Sequence, residues 1–547
     1  MMNLEIKNVS SLEKIMPAMQ STEPELNHAS ALIGEKFSYQ LAIKSNIHLH
    51  CGRQLKAQIT SDIKEAVTLY NVRCVPVMLN KYYEEYDNNY IDDNPGIFPD
   101  VLEEYTDFVP VSSHQYRALW VTVNTDDVTP GIHNINIQIM DDDGTVWGES
   151  NFELEVIGVK LPKTDIPVTQ WFHSDCIASV HGCELGSKRH WELIDSYMKT
   201  ATDNGLNMIL TPVFTLALDT AVGAQRPTFQ LVDIEYSNGK YTFGFENLSK
   251  WLEICKKNGV EYIELSHLFS QWGAEHTPKI EVLENGEKIK KFGWHTDALS
   301  DEYKEFLTQF IPELKAFMEQ NWDIKKVYFH ISDEPHADHI EHYGEIYKFV
   351  KPLFGEIQQM DAISDYNLYA KGYIDVPVVV SRKISEFLEH GYSDIWAYYC
   401  CGEGKYNLSN RFIAMPSYRN RIIGTQLYKF DMKGFLQWGY NFYYSQFSLH
   451  TINPYLVTDA EGAFPAGDAF SVYPGANGAV ESLRLKVFKE ALQDMMAFKL
   501  LESYIGKDAV VALIDEEMEV DFSVYPKRTE YILELREKVN RMIKENI

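Results

Sequence analysis

The sequence is short of several things, and each shortage closes off a class of protein. No apolar run approaches the ~18 to 20 residues that a membrane-spanning helix needs. The opening MMNLEIKNVSSLEKIMPAMQ breaks every short apolar stretch with charge and so lacks the apolar core of a signal peptide. Cysteine is scarce. The seven, Cys51, Cys74, Cys176, Cys183, Cys255, Cys400 and Cys401, follow no zinc-ribbon or redox spacing, and their odd number argues against a complete disulfide framework. Basic residues are outnumbered, 50 Lys and Arg against 79 Asp and Glu, which leaves a formal net charge of −29. A surface of that sign repels nucleic acid and anionic membrane, and no lysine or arginine run offers a tract for polyanions. These shortages together predict a cytoplasmic protein with neither a nucleic-acid nor a membrane partner, and with a neutral ligand.

What is present is apolar material for a large core: 547 residues, 45% hydrophobic and 13% aromatic. From about residue 36 to 159 the pattern is short and alternating, in FSYQLAIKS, VTLYNVRCVPVML, ALWVTVN, INIQIMD and NFELEVIGV, with turns such as DVTPG and DDDG between them. This predicts an N-terminal antiparallel β-sandwich, residues 1–160, read as a support domain. LPKTDIP, Leu161 to Pro167, with two prolines and a charged centre, reads as a short stiff linker.

Beyond Pro167 apolar strands alternate with amphipathic helices, the order of a parallel α/β architecture. About eight candidate strands occur, the number that closes a (β/α)8 TIM-like barrel. They are VTQWFHSD, MILTPVFT, YIELSHLFS, KVYFHISDEP, DAISD, VPVVVSR, DIWAYYCC and GFLQWGYNFYY. The catalytic domain is placed at residues 161–505, closed by a helix from Glu481 to about Tyr504. A C-terminal helical segment, residues 506–547, follows.

Function in such a barrel gathers at the C-terminal strand ends. There fall His173 and Asp175, then Thr211 and Thr215, then Ser266, His267, Gln271 and Trp272, then Asp333 and Glu334, then Trp396, Tyr398 and Tyr399, and last Trp438, Tyr440 and Asn441. Carboxylates among aromatic rings suit a sugar, whose apolar face stacks on an aromatic while its hydroxyls need hydrogen-bonding partners. The sharpest feature is HISDEP, where a β-rich run ends in two adjacent acids and a proline. Burial and mutual repulsion raise one pKa of such a pair, leaving an acid beside a carboxylate, the combination glycoside cleavage uses. The commoner reading of the same spacing is a helix start, with Ser332 or Asp333 as cap and Glu334 and Pro335 in the first turn.

The chain resembles glycoside hydrolase family 123 and the related catalytic domain of unknown function 4091. The matching segments are WFHSDCIA, NMILTPVFT with the following RPTFQLVD, HISDEP, FLQWGYNFY, GDAFSVYPG and SLRLKVFKEALQD, spread over roughly residues 160 to 505. The resemblance implies a retaining glycosidase that uses the substrate's own 2-acetamido group as nucleophile. Asp333 would hold and polarise the acetamide N–H, and Glu334 would act as general acid and then base. It also implies a β-linked 2-acetamido sugar, N-acetylgalactosamine, as the group removed, from a glycan substrate, with no cofactor and no metal. The alternatives are a hydrolase of a different glycan on the same scaffold and a non-catalytic glycan-binding protein.

Other candidates carry competing structural readings. His173, Asp175, Cys176, His181 and Cys183 fit no standard zinc pattern, so His173 and Asp175 are read as sugar-hydroxyl ligands or orienters of the acid pair. Gln271, Trp272, Trp396, Tyr398, Trp438 and Asn441 complete the expected substrate-binding set. Tyr398 is the choice for orienting the acetamide carbonyl, and the strand aromatics have barrel core as their alternative. Arg226 is read as ordering the long loop after the second strand, with a reach to a sugar hydroxyl as its alternative. Cys400 and Cys401 are read as packing.

Overall fold

In a computed structural model of the protein the described residues are 4–18, 24–45, 54–83 and 87–547. Cys51 lies outside them. The N-terminal part holds two sheets. Five strands pair antiparallel in the order Leu4–Ser10, Lys36–Ser45, Tyr116–Asn124, Val67–Val77, Gly96–Glu104. Four more run His28–Ile33, Val146–Lys160, Gly131–Met140, Lys56–Thr60, and the first of these pairs is parallel, a departure from the purely antiparallel expectation. Alternation decides which residues turn inward. Tyr39, Leu41 and Ile43 of one sheet share a buried cluster with Ile135, Ile137 and Ile139 of the other.

The eight expected strands close into a parallel barrel, in chain order: Val168–Gln170, Met208–Thr211, Tyr262–Leu265, Val327–Phe329, Gln358–Ile363, Val376–Val380, Trp396–Tyr398 and Phe435–Gln437. The period of two sorts each strand's residues. On the third strand Ile263 and Leu265 join the core shared with the surrounding helices, while on the fourth Tyr328 joins the interior set of Leu210, Met360, Val378, Trp396 and Leu436. The helices after the second and third barrel strands, Glu246–Lys257 and Asp301–Asn321, are delayed by hairpins that unite in one four-stranded sheet, Lys240–Gly244, Asp233–Ser237, Ile280–Glu284, Glu287–Phe292. None of these four strands was anticipated, because their alternation is short and heavily charged. Gly205 adopts the left-handed φ of 91° expected after the helix Lys188–Asp203.

The helix Leu483–Ile505 packs along Ser417–Lys429, where an added Cβ at Gly424 would lie 1.8 Å from the carbonyl oxygen of Ala491, so only glycine allows the approach. The two parts of the chain are joined by buried polar contacts. Arg484 donates to both oxygens of Asp100 at 2.8 and 2.9 Å, Arg419 binds Asp87 at 2.7 and 2.9 Å, and Lys14 reaches the Ile413 carbonyl at 2.6 Å. Arg536, on the last helix Thr529–Glu545, pairs with Glu35. Among the described residues no helix is long and apolar enough to cross a membrane.

Candidate active site

The acid pair sits just beyond the fourth strand. That strand ends at Phe329, and the next helix starts only at Ile340, after a 3-10 turn at Ala337–His339. Neither Ser332 nor Asp333 caps it, so the helix-start reading of the pair fails. Residues 330–333 instead run as an irregular arm beside the loop after the third strand. Leu268 N donates to His330 O at 3.2 Å, Phe269 N to Ile331 O at 3.0 Å and Trp272 N to Asp333 O at 2.8 Å, while the Ser332 hydroxyl donates to Ser270 O at 2.8 Å.

Glu334 has a φ of +45°, the left-handed region that L-residues other than Asn, Asp and Gly rarely occupy. In an extended strand two consecutive side chains face opposite ways. A left-handed residue breaks that alternation, which removes the geometric obstacle to both carboxyls serving one ligand. Burial first, and then the charge of Glu334, push the Asp333 carboxyl well above the usual carboxylate range; His330 opposes the rise, and Asp361 and Asp219 add to it. The upward shift expected of one acid in such a pair thus falls on Asp333. Tyr398, at the end of the seventh strand, donates its hydroxyl to Glu334 Oε1 at 2.6 Å.

Beneath the pair lies a charged cluster inside the barrel. Glu264, the inward-facing residue of the third strand, accepts from Thr169 Oγ1 at 2.7 Å and Trp171 Nε1 at 2.6 Å, and meets His330 Nε2 at 2.7 Å. The other nitrogen of His330 meets Asp361 Oδ1 at 2.9 Å. Asp361 Oδ2 accepts from the Ser332 backbone N–H at 3.1 Å and the Tyr343 hydroxyl at 2.5 Å. Burial disfavours a charged ring, yet the two carboxylates outweigh it and hold His330 up at about 9. His267 stacks on His330, centroids 4.3 Å apart and planes 16° from parallel, and burial with the His330 charge drives its pKa well below the usual value. His267, His330 and Asp361 could each offer a ligand atom within 4.8 Å of the others. Parallel rings leave their nitrogens side by side rather than converging, and both nitrogens of His330 already meet carboxylates, so the set fits a proton-carrying clamp better than a metal.

The remaining expected residues divide. Trp272 lies at the rim, 41% exposed, its ring edge-on to Phe447 at 6.2 Å. Gln271, next to it, donates to Thr220 O and leaves its buried Oε1 without a protein partner. Trp438 is half-buried and donates its indole N–H to Asp468 at 2.8 Å, where burial lifts the Asp468 carboxyl to about 7. His173, Asp175 and Asn441 are engaged elsewhere. Asp175 forms a two-pronged ion pair with Arg226 at 2.7 and 2.9 Å; His173 lies between Arg226 and the Trp438 carbonyl; Asn441 binds the His173 backbone on both sides. Arg226 thereby orders its loop, as read from the sequence. Trp396 packs against Tyr328 in the barrel interior, at the opposite end of the seventh strand from Tyr398. Sequence reasoning missed Glu264, His330 and Asp361, although a lone glutamate inside the apolar run YIELS and a histidine three residues before the acid pair were available as signals.

The model of the glycoside hydrolase 123 catalytic domain matches residues 171–501. Among solved structures, a family 123 glycoside hydrolase from Clostridium perfringens, described for its hydrolysis of glycolipid glycans, superposes with a TM-score of 0.71 at 15% identity, over 99% of this chain and 97% of that one. A family 5 mannosidase from Rhizomucor miehei has a TM-score of 0.35 at 13% identity, over 62% of this chain and 95% of its own. An endo-β-1,4-mannanase from Thermotoga petrophila has a TM-score of 0.35 at 12% identity, over 61% and 77%. No curated protein matches the chain.

Proposed function

The chain belongs to glycoside hydrolase family 123, and from that premise we propose that it removes a β-linked 2-acetamido sugar, N-acetylgalactosamine, by retaining, substrate-assisted catalysis. The observation that carries this reading is the placement of Asp333 and Glu334 side by side at the barrel mouth, with Glu334 in a left-handed conformation and held by Tyr398.

In this reading the acetamide N–H donates to ionised Asp333, a bond that favours the charged form of a carboxyl otherwise pushed up by burial. The acetamide oxygen attacks the anomeric carbon as Glu334 gives its proton to the glycosidic oxygen, and the bond to the leaving group breaks. Glu334, now a carboxylate, takes a proton from water, which opens the oxazoline or oxazolinium ring with net retention. Attack opposite to the leaving group requires a 1,2-trans linkage, hence a β-linked sugar of the galacto or gluco type. The choice of N-acetylgalactosamine follows the family resemblance, and the description of the Clostridium relative supports a glycoconjugate as the substrate. Trp272, Gln271 and Trp438 are read as the residues that meet the sugar. We read residues 1–160 as a supporting β-sandwich, 161–505 as the catalytic domain and 506–547 as a helical segment that braces both.

The test is hydrolysis of chromogenic β-N-acetylgalactosaminide, β-N-acetylglucosaminide and β-galactoside by the wild-type protein and by Glu334→Gln. Cleavage confined to the acetamido sugars, falling by about 10²- to 10⁴-fold in the variant, supports the reading. Equal cleavage of the plain galactoside would overturn substrate assistance. Saturable sugar binding without product, indifferent to Glu334→Gln, would make the protein a glycan-binding one.

A further inference from the structure

The buried ring of His330 stands where no substrate reaches, with no measurable exposure and with a carboxylate on each nitrogen. It is nevertheless only three residues from Asp333, and the arm between them is held by the same group that holds the ring: Asp361 takes His330 on one oxygen and the Ser332 N–H on the other. We propose that His330, clamped between Glu264 and Asp361, is a positioning residue that fixes the arm carrying the acid pair and supplies the positive charge that keeps Asp333 able to ionise. The proposal rests on the reading of Asp333 as the ionised acceptor of the acetamide N–H.

Charge and geometry agree on this. The groups facing His330 are Glu264 from the third strand, Asp361 from the fifth, the stacked ring of His267 and the edge of Trp171. Two carboxylates on one imidazole hold it cationic, and the neutral His267 ring above adds no competing charge. The charges that act most on Asp333 are those of Glu334, Asp361 and Asp219, which oppose its ionisation, and of His330, which favours it. An adjacent carboxylate pair at the barrel mouth would otherwise keep a proton, and a protonated Asp333 offers the acetamide N–H only a neutral carbonyl oxygen, a weaker acceptor than a carboxylate. A cation placed directly in the pocket would be drawn into contact with the acids. Set below the arm and saturated by Glu264 and Asp361, it acts through space and leaves the acids free for the sugar.

The clamp carries opposite signs on neighbouring residues, and that gives a test a merely structural role would not pass. The acid limb of the pH profile of kcat/KM reports the essential base of the free enzyme. It would be measured on chromogenic β-N-acetylgalactosaminide with the full-length wild type, His330→Gln, Asp361→Asn and Asp333→Asn, with thermal melting and circular dichroism as checks on folding. His330→Gln removes the cation, so the limb moves up by about one pH unit and kcat falls by about tenfold or more while KM stays within about twofold. Asp361→Asn removes an anion while Glu264 still holds the ring cationic, so the limb moves down. A limb unmoved in both variants, or moved the same way in both, overturns the proposal. If His330→Gln does not fold, 15N NMR of the histidine rings in the wild-type protein decides: a His330 ring protonated on both nitrogens through neutral pH supports the clamp, and a neutral His330 ring overturns it. Loss of activity in Asp333→Asn together with unmoved limbs in the clamp variants overturns this proposal only, whereas an Asp333→Asn protein of wild-type activity overturns the acetamide reading and the clamp with it.

Discussion

The hydroxyl of Tyr398 donates to Glu334 across 2.6 Å, joining the end of the seventh barrel strand to the arm beyond the fourth. The expectation from sequence was a tyrosine for the acetamide carbonyl; in the ligand-free site its partner is the proposed acid itself. A hydrogen bond to a carboxylate is worth about 1.5–3 kcal/mol, and its removal leaves Glu334 free to rotate. Tyr398→Phe is therefore expected to lower kcat by about tenfold to a hundredfold and to cost no more than about 1–3 kcal/mol of stability, since the ring's packing is kept. Unchanged kcat on an unactivated substrate would show that the bond does not serve the reaction.

Asp175 and Arg226 form a buried pair, with side-chain exposures of 5% and 0%. Breaking such a pair by removing one member leaves a lone charge in the interior and costs about 3–5 kcal/mol, whereas replacing both with apolar residues costs far less. Asp175→Asn and Arg226→Met singly are expected to depress the melting temperature sharply, and Asp175→Leu with Arg226→Met to recover much of the loss. A higher KM with an unaltered melting temperature in Asp175→Asn would restore the sugar-ligand role read from the sequence.

The left-handed backbone of Glu334 costs about 1–2 kcal/mol in an ordinary L-residue, and asparagine tolerates it best after glycine. Both Glu334→Asn and Glu334→Gln put an amide in place of the carboxyl beside Asp333, so the difference between them isolates the backbone. The asparagine variant is expected to be about 1 kcal/mol the more stable in denaturant melts, and both to be inactive. Equal stabilities would mean that the turn is not strained.

The eight barrel strands were legible because each is a compact apolar run bounded by helix signals, and HISDEP because a strand that stops on two acids is rare chemistry in plain view. The strands Leu4–Ser10 and Gly96–Glu104 were not, since charge interrupts one and Pro99 the other. The deeper loss was in partnership. Glu264 meets His330 from 66 residues away, Tyr398 meets Glu334 from 64 and Arg226 meets Asp175 from 51. No local pattern encodes such distances, so His173 and Asp175 looked like free ligands while the clamp under the acids stayed unseen.

The polar contacts between the N-terminal sheets and the barrel also govern how the protein can be cut. A fragment beginning at the linker would keep Arg484, Arg419 and Arg536 but lose Asp100, Asp87 and Glu35, leaving Arg484 and Arg419 without the acids now set against them and Arg536 with Asp494 alone. The proline-bounded linker therefore invites a truncation that the charges forbid, and the N-terminal sheets act as a built-in counterion for the barrel.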